Sequence, residues 1–235
     1  MPLPQSARHL RKAYNLMFKA HGHQNWWPGD SPFEICVGAI LTQNTAWTNV
    51  EKAIANLKQA QALTPREMFT LPVGDLAELI RPAGYFNIKA KRLRHFLATL
   101  IDDHGGSLKR LFTGDTPTVR KRLLAINGIG PETADSMLLY ASDHHSFVID
   151  AYTKRIFQRH KWWSGKGPQG QLKAHSREEY QSLQRLCEAA LAQKSGPLQH
   201  DYWQDYHAQL VVIGKDFCKT KNPRCDVCPL KSLLP

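Results

Sequence analysis

The sequence predicts an all-α fold, and two observations support that prediction. Apolar residues recur at helical spacing in one segment after another, as at Leu93, Leu97 and Leu100, and alternating strand-like stretches are nearly absent. Helix starts are also marked, because Ser31-Pro32 and Thr64-Pro65 each place a capping hydroxyl before a proline at the first helical position. Residues 164–174, rich in Gly, Lys, Pro and Gln, are predicted to form a loop. The predicted helices span residues 6–20, 32–43, 47–60, 65–70, 74–80, 87–103, 117–126, 131–142, 150–160, 176–193 and 199–215.

Composition restricts the class of protein. The chain has 235 residues, 42% hydrophobic and 22% charged, which is typical of a globular protein with one large domain or two small ones that share a core. No apolar run approaches the roughly 20 residues that span a bilayer, and residues 1–19 lack a signal-peptide core, so we expect a cytoplasmic protein with no membrane partner. The net charge of +11 favours nucleic acid as the partner, although a basic protein without such a partner is the alternative.

Residues 123–134 form the most informative stretch. An amphipathic helix leads into Gly128-Ile129-Gly130, and Pro131 then opens a second helix. We expect both glycines to adopt backbone angles that other residues resist, so that main-chain amides and the positive end of the second helix converge on one DNA phosphate. The residues predicted to bind that phosphate are Gly128, Ile129, Gly130 and Thr133. A simple turn between two helices is the alternative.

Asp150 is the candidate catalytic residue. It follows the short apolar run Phe147-Val148-Ile149 and stands where the next helix begins. An ordinary N-cap aspartate is the alternative, and both roles are compatible because capping fixes the carboxylate in one rotamer. Lys154 and Arg155 follow closely and are candidates for binding flanking phosphates.

Together the hairpin and Asp150 resemble the endonuclease III-like superfamily of DNA glycosylases, and the resemblance extends over nearly the whole chain. It implies a six-helix barrel domain at residues 26–143, containing a helix-hairpin-helix at 118–142. Residues 1–25 and 144–235 would form a second helical domain, with a DNA-binding cleft between the two domains for the extruded base. The resemblance also implies that Asp150 is the catalytic aspartate. It would stabilise the positive charge that develops on the sugar or activate water.

One departure from the superfamily pattern concerns the second reaction step. Members that also cut the DNA strand carry a lysine where this chain has Glu132. A carboxylate cannot form a Schiff base with the sugar, so the resemblance implies a monofunctional glycosylase with water as nucleophile.

Further stretches resemble the endonuclease III-like 3-methyladenine DNA glycosylases, namely Trp26-Trp27-Pro28, residues 40–45, residues 81–87 and residues 128–132. That likeness implies an alkylated, cationic base held by aromatic faces, which attract cations by about 0.5–2 kcal/mol each. The base-pocket candidates are Trp26, Trp27, Trp47, Lys215 and Glu132. The aromatics could instead be core residues, and Lys215 could be an exposed structural lysine.

Gln43 and Asn44 are candidates for filling the gap that an extruded base leaves in the duplex. They follow an apolar helix and precede the turn into the next one. Either amide could instead cap that first helix.

A cysteine loop closes the sequence. Cys218, Cys225 and Cys228 have the spacing of soft metal ligands, suited to an iron–sulfur cluster or zinc. The superfamily resemblance implies a structural [4Fe–4S] cluster, with three of the four expected cysteines present and Leu234 at the fourth position. The fourth ligand would come from elsewhere, such as Cys187 or a histidine, or the loop is a vestige. A cluster would orient the basic residues Lys219, Lys221 and Arg224 towards DNA.

The sequence therefore predicts a monomeric base-excision glycosylase of the bacterial nucleoid that acts on double-stranded DNA containing a damaged base. Three alternatives stay open: another base specificity (mismatched or oxidised bases), a bifunctional glycosylase/lyase that uses a different amine such as Lys215, and a DNA-binding module without catalysis.

Overall fold

The computed structural model describes residues 5–26, 29–167, 170–171, 173 and 176–235, and within them the predicted all-α class is confirmed. The helices are α1 (Gln5–His21), α2 (Pro32–Leu41), α3 (Trp47–Gln59), α4 (Pro65–Thr70), α5 (Val73–Leu79), α6 (Phe86–Ala98), α7 (Leu108–Leu111), α8 (Thr116–Leu124), α9 (Pro131–Ala141), α10 (Ala151–Arg159), α11 (Arg177–Leu191) and α12 (Gly196–Val212). Short 3₁₀ turns occupy Arg81–Ala83, Cys225–Val227 and Lys231–Leu233. Within the described part of the chain, no helix has the length and apolar character needed to cross a membrane.

The predicted boundaries differ from the structure mainly at helix ends. The predicted helix 87–103 is α-helical only to Ala98 and continues as a π-turn over Thr99–Asp103. The predicted helix 199–215 likewise ends at Val212 and continues as a π-turn over Ile213–Phe217. The predicted loop 164–174 contains a minimal antiparallel hairpin, β1 (Lys166–Gly167) with β2 (Gly170–Gln171). The four-residue helix α7 was not predicted, because one helical turn carries too little apolar periodicity to be recognised.

The chain folds into two compact units. The central unit is Trp27–His144, and the terminal unit combines Met1–Trp26 with His145–Pro235. The sequence predicts both boundaries between the units one residue earlier, at residues 25/26 and 143/144.

In the central unit, α2 is the buried helix around which the others pack. Ser31 accepts a hydrogen bond from the Glu34 amide at 3.2 Å and Pro32 occupies the first turn, as the sequence predicts. At the other end of α2, the buried Lys89 ammonium donates to Leu41 O and Ala83 O, both at 2.8 Å. Burial and the nearby Arg92 lower the pKa of Lys89 to about 8. Lys89 thus satisfies backbone carbonyls that would otherwise be left without donors at the end of a buried helix.

In the terminal unit, α1 packs against α11 and α12. Leu10, Ala13 and Met17 form the buried stripe of α1 at helical spacing. Helix α12 differs, because its buried residues include several polar side chains and it has almost no apolar stripe of its own. These polar groups shape the candidate site described below.

Candidate active site

The helix-hairpin-helix consists of α8, a turn over residues 125–130, and α9, and its two glycines differ in conformation. Gly128 has φ +92°, and a Cβ there would lie 2.3 Å from Cγ of Arg92. Gly130 has φ −90° and ψ 176°, so the expectation that it needs a glycine-specific backbone conformation is wrong. A Cβ on Gly130 would meet nothing within 4 Å. Gly128 is therefore required by the turn itself, whereas Gly130 leaves open space in front of the α9 N-terminus.

That N-terminus has the features of an anion site. Gly130 is the N-cap and makes no side-chain cap hydrogen bond, and Pro131 occupies the first turn. The amides of a first helical turn have no acceptor within the helix, and the positive end of the helix dipole lies there. Ile129 contributes differently from the prediction: its side chain is buried and its amide donates to Ile126 O at 3.1 Å, so it supports the turn from within.

Gln43 is bonded to the hairpin at both ends of its amide. Its Nε2 donates to Gly128 O at 3.0 Å and to Thr133 Oγ1 at 2.9 Å, and its Oε1 accepts from Arg92 Nη1. Gln43 therefore holds the hairpin against α2 and α6, a role that the sequence did not reveal. Asn44 is exposed and has φ +55°, and it is the plug candidate whose side chain is not engaged in the hairpin. Trp47 is half-buried at the first position of α3.

A buried ion pair braces the two hairpin helices. Arg120 on α8 donates from Nε and Nη2 to the two carboxylate oxygens of Asp135 on α9, at 2.7 and 2.9 Å. Bidentate pairs of this kind fix orientation as well as distance. This pair therefore joins the two helices on either side of the turn.

Asp150 caps α10 in the terminal unit. Its Oδ1 accepts from the Thr153 amide at 2.7 Å, so the N-cap interpretation is correct. The side chain is largely buried, because the preceding Phe147, Val148 and Ile149 are core residues. The Ile149 amide donates a hydrogen bond to the Tyr180 hydroxyl at 3.2 Å. The carboxylate is thus held in one rotamer on a rigid stretch of backbone.

His207 on α12 is the second group at this carboxylate. Its Nε2 lies 3.7 Å from Asp150 Oδ2, and its ring lies 6.0 Å from the ring of Trp26, centroid to centroid. Burial opposes ionisation of Asp150, but the nearby His207 imidazole and the hydrogen bond from the Thr153 amide outweigh it and lower the pKa of Asp150. Asp150 is therefore ionised at neutral pH. Trp27, the other tryptophan of this segment, lies outside the described residues.

The segment that carries Trp26 is bound to α12 by polar groups. Asp205 accepts from the Gln24 amide at 2.7 Å and from the Tyr14 hydroxyl at 2.8 Å. Gln209 donates to Gly22 O at 2.6 Å. Asp205, His207 and Gln209 were all missed by sequence reasoning, although they position a predicted pocket residue and the predicted catalytic residue.

The cations after Asp150 are engaged within the protein. Lys154 pairs with Glu179 at 3.1 Å. Arg155 donates to Cys218 O at 2.5 Å and to Gly214 O at 2.9 Å, which attaches α10 to the segment leading into the cysteine loop. Helix α10 also packs closely against Gly214 through Tyr152, because a Cβ on residue 214 would lie 2.3 Å from Cδ1 of Tyr152. Two other predicted pocket residues are exposed: Lys215 in the π-turn and Glu132 in the first turn of α9.

The three cysteines of the C-terminal loop line one small cavity. Within the described ranges, no three His, Cys, Asp or Glu side chains converge as they would around a single metal ion. Arg159 Nη1 donates to the sulfur of Cys218 at 2.8 Å. Three cysteine sulfurs around one cavity are the type of donor that an iron–sulfur cluster uses.

The profile of the HhH-GPD superfamily of base excision DNA repair proteins matches residues 37–182. A protein of Methanocaldococcus jannaschii, provisionally described as a DNA repair glycosylase, is 42% identical over 223 residues, which cover 94% of each chain. Endonuclease III of Thermotoga maritima is 27% identical over 201 residues, or 86% of this chain and 81% of its own.

Solved structures agree with these relatives. The 3-methyladenine DNA glycosylase of Helicobacter pylori, bound to 1,N6-ethenoadenine, matches with a TM-score of 0.69 and 27% identity, over 90% of this chain and 98% of its own. An Endonuclease III–DNA complex matches with a TM-score of 0.78 over 100% of this chain and 96% of its own, at 20% identity, which shows the fold alone.

Proposed function

The chain belongs to the HhH-GPD superfamily of base excision DNA repair proteins and is a DNA glycosylase of that pathway, and we propose that it is a monofunctional enzyme that hydrolyses the N-glycosidic bond of an alkylated purine. The observation that carries this proposal is Asp150. It combines burial, a fixed rotamer and a lowered pKa in one carboxylate, on the motif that the superfamily resemblance assigns to catalysis.

Asp150 would act on the sugar. As the base departs, positive charge develops around C1′, and an ionised carboxylate already in place stabilises that charge without having to reorganise. The Thr153 amide holds Oδ1, which keeps the carboxylate from rotating away. The His207 ring near Oδ2 favours the ionised form, so the carboxylate keeps its charge at neutral pH. Water would complete the reaction, with Asp150 as its orienting base.

The presence of glutamate at position 132 favours base hydrolysis without cleavage of the DNA strand. Lyase activity in this superfamily needs an amine at the corresponding hairpin position, and a carboxylate cannot form the imine. Glu132 is also exposed at the positive end of α9, where its charge is stabilised by the helix dipole.

A cationic base is the proposed substrate because it needs little help to leave. N3- and N7-alkylated purines already carry positive charge, so the pocket has mainly to bind a flat cation. We propose Trp26, Trp27, Trp47, Lys215 and Glu132 as the residues that contact the base. The H. pylori relative bound to 1,N6-ethenoadenine supports a modified purine in preference to a pyrimidine.

DNA would be held without sequence readout. We assign one phosphate to the α9 N-terminus at Gly130, with the hydroxyl of Thr133 nearby, and the space left by the extruded base to Asn44. Cys218, Cys225 and Cys228 would hold a [4Fe–4S] cluster. Such a cluster would act structurally by ordering the loop that presents the exposed Lys219, Lys221 and Arg224.

The experiment compares two aspartates that cap helices in the same way. Asp115 caps α8 by accepting from the Thr118 amide at 2.8 Å, as Asp150 caps α10, but it is exposed. Asn is as good an N-cap as Asp, so Asp150→Asn and Asp115→Asn should both fold. A carboxylate about 4 Å from a developing charge contributes roughly 4 kcal/mol at an effective dielectric constant near 20. Asp150→Asn should therefore slow base release roughly 10³-fold.

Single-turnover release from duplexes carrying one 3-methyladenine or one 7-methylguanine, followed by chromatography, measures this rate. Duplexes with a mismatched thymine, an undamaged adenine opposite 8-oxoguanine or an oxidised pyrimidine test the other base specificities. Asp115→Asn should retain wild-type rates. Equal rates for the wild type and Asp150→Asn, with equal DNA binding, would reject the proposed mechanism, and release from one of the other duplexes alone would reject the substrate class.

A further inference from the structure

The cavity at the C-terminal loop has one position that cannot supply the expected ligand. The superfamily spacing places a fourth sulfur at residue 234, and Leu234 does line the cavity, but its side chain has no donor atom. Cys187 does not fill this role, because it is buried in α11 close to Tyr206. Among the described residues that line the cavity, the cysteines are Cys218, Cys225 and Cys228.

His160 also lines this cavity, and its hydrogen bonding determines its tautomer. It caps the C-terminus of α10 and is buried, with Nδ1 3.0 Å from Leu233 O. A carbonyl oxygen only accepts hydrogen bonds, so Nδ1 carries the proton and Nε2 carries the lone pair. The ring also stacks on Trp162, with centroids 4.5 Å apart and planes inclined by 30°. The imidazole is therefore fixed in orientation, and Nε2 is the ring nitrogen that carries the lone pair.

This arrangement is the usual one for a metal-binding histidine. Such residues donate the N–H of the other ring nitrogen to a carboxylate or a backbone carbonyl, which fixes the tautomer and raises the basicity of the ligating nitrogen. Here the carbonyl belongs to Leu233, the residue next to the position that would carry the fourth cysteine. The segment that has Leu234 in place of a fourth cysteine thus orients the His160 ring through the Leu233 carbonyl.

We infer that Nε2 of His160 is the fourth ligand of an iron–sulfur cluster held otherwise by Cys218, Cys225 and Cys228. Imidazole replaces thiolate in Rieske centres, so iron in such clusters accepts nitrogen ligands. Exchanging one thiolate for a neutral imidazole makes the cluster less negative by one charge and raises its reduction potential. Arg159, which donates to Cys218 Sγ, acts on the potential in the same direction. The inference concerns the loop and does not depend on the proposed glycosylase activity.

The test uses the full-length chain, purified without oxygen from cells fed ¹⁵N-labelled histidine. The wild type should contain about four iron and four sulfide ions per chain. The reduced cluster should show hyperfine coupling to one ¹⁵N nucleus by pulsed EPR. His160→Asn keeps an N–H that can donate to Leu233 O but removes the ligating nitrogen, so it should lose the coupling and most of its iron.

Two further variants separate ligation from folding. Leu234→Cys combined with His160→Asn should regain the iron content without the ¹⁵N coupling, and its potential should be lower than that of the wild type. His144→Asn is the control, because His144 lies in the other unit and lines no described part of the cavity. Its Nε2 donates to Phe112 O at 2.8 Å, and its Nδ1 is hydrogen-bonded to Thr116 Oγ1 at 3.0 Å. It should leave iron and coupling unchanged.

Several outcomes would overturn the assignment. These are a wild-type chain that takes up no iron on anaerobic reconstitution, one that retains zinc in place of iron, a three-iron cluster without nitrogen coupling, and a coupling that survives in His160→Asn.

Discussion

Gly128 and Gly130 lie two residues apart in the hairpin, and we predict that replacing each by alanine has a different effect. Gly128→Ala should destabilise the fold, because φ at this residue is +92° and the new Cβ would lie 2.3 Å from Cγ of Arg92. Strained backbone of this kind costs about 1–3 kcal/mol for a residue with a side chain. Arg92 cannot move aside freely, since its guanidinium binds Gln43, which in turn binds Gly128 O. A loss of about 2 kcal/mol corresponds to a Tm lower by roughly 4–8 °C.

Gly130→Ala should leave the fold intact. Its φ is −90°, and a Cβ would have no neighbour within 4 Å. Alanine also restricts the unfolded chain, which stabilises a protein by about 0.4–1 kcal/mol where the native angles suit it. The methyl group would instead occupy the open space in front of the α9 N-terminus. If a phosphate binds there, DNA affinity should fall about tenfold, equivalent to about 1.4 kcal/mol.

Urea unfolding monitored by circular dichroism measures the stability of each variant. Fluorescence anisotropy with a duplex that contains a stable abasic-site analogue measures DNA binding at fixed salt, because phosphate contacts are salt-dependent. The expected pattern is a stability loss confined to Gly128→Ala and a binding loss without a stability loss in Gly130→Ala. Wild-type binding by Gly130→Ala would refute the phosphate site, and equal unfolding midpoints for the two variants would refute the conformational argument for Gly128.

Four further predictions concern the charged groups. His207→Phe keeps a ring beside Trp26 but removes the imidazole that lowers the pKa of Asp150, while the Thr153 amide remains. The pKa of Asp150 should therefore rise and move the acid limb of the base-release profile to higher pH, and an unchanged limb would contradict this. The same substitution should lower the free energy of unfolding at pH above the ordinary carboxyl pKa, where the lowered pKa of Asp150 stabilises the fold, and this difference from the wild type should vanish as pH falls through the folded-state pKa. Borohydride should trap no covalent adduct of the wild type on abasic-site DNA because Glu132 replaces the amine, and a trapped adduct would show a lyase that uses another residue. Arg120→Ala should lower the free energy of unfolding by about 3–5 kcal/mol, because it deprives the buried Asp135 of its bidentate partner. Each kcal/mol lowers the Tm of a protein of this size by roughly 2–4 °C, so a Tm within about 2 °C of the wild type would contradict this prediction.

The features of the fold that the sequence predicted are local ones. Ser31 and Thr64 cap α2 and α4 as their spacing indicated, because a cap depends on residues three apart. The π-turns after Ala98 and Val212 could not be predicted in this way, because they shift the hydrogen-bond pattern by one residue and leave the apolar spacing nearly unchanged.

The candidate site was less predictable, since its supporting residues act over long sequence distances. Asp205 binds the amide of Gln24 and Gln209 binds Gly22 O, contacts that join residues more than 180 positions apart. In the sequence, these residues and His207 appear as the polar face of a helix, and only the packing of α12 shows that they are buried. Lys154 illustrates the converse, because its position after Asp150 indicated a phosphate contact, yet it pairs with Glu179 in the protein.

Asp150 shows why a motif alone does not separate a structural residue from a catalytic one. Asp115 and Asp150 each accept from the amide of a threonine three residues later, so both satisfy the same local rule. They differ in their surroundings: Asp115 is exposed, whereas Asp150 is buried with His207 at its second oxygen. A cap needs one carboxylate oxygen, and charge stabilisation needs an ionised group that keeps its position in a site with little water. Capping through Oδ1 supplies that fixed position, and burial beside His207 makes the charge effective, so in Asp150 the structural role is what permits the proposed catalytic one.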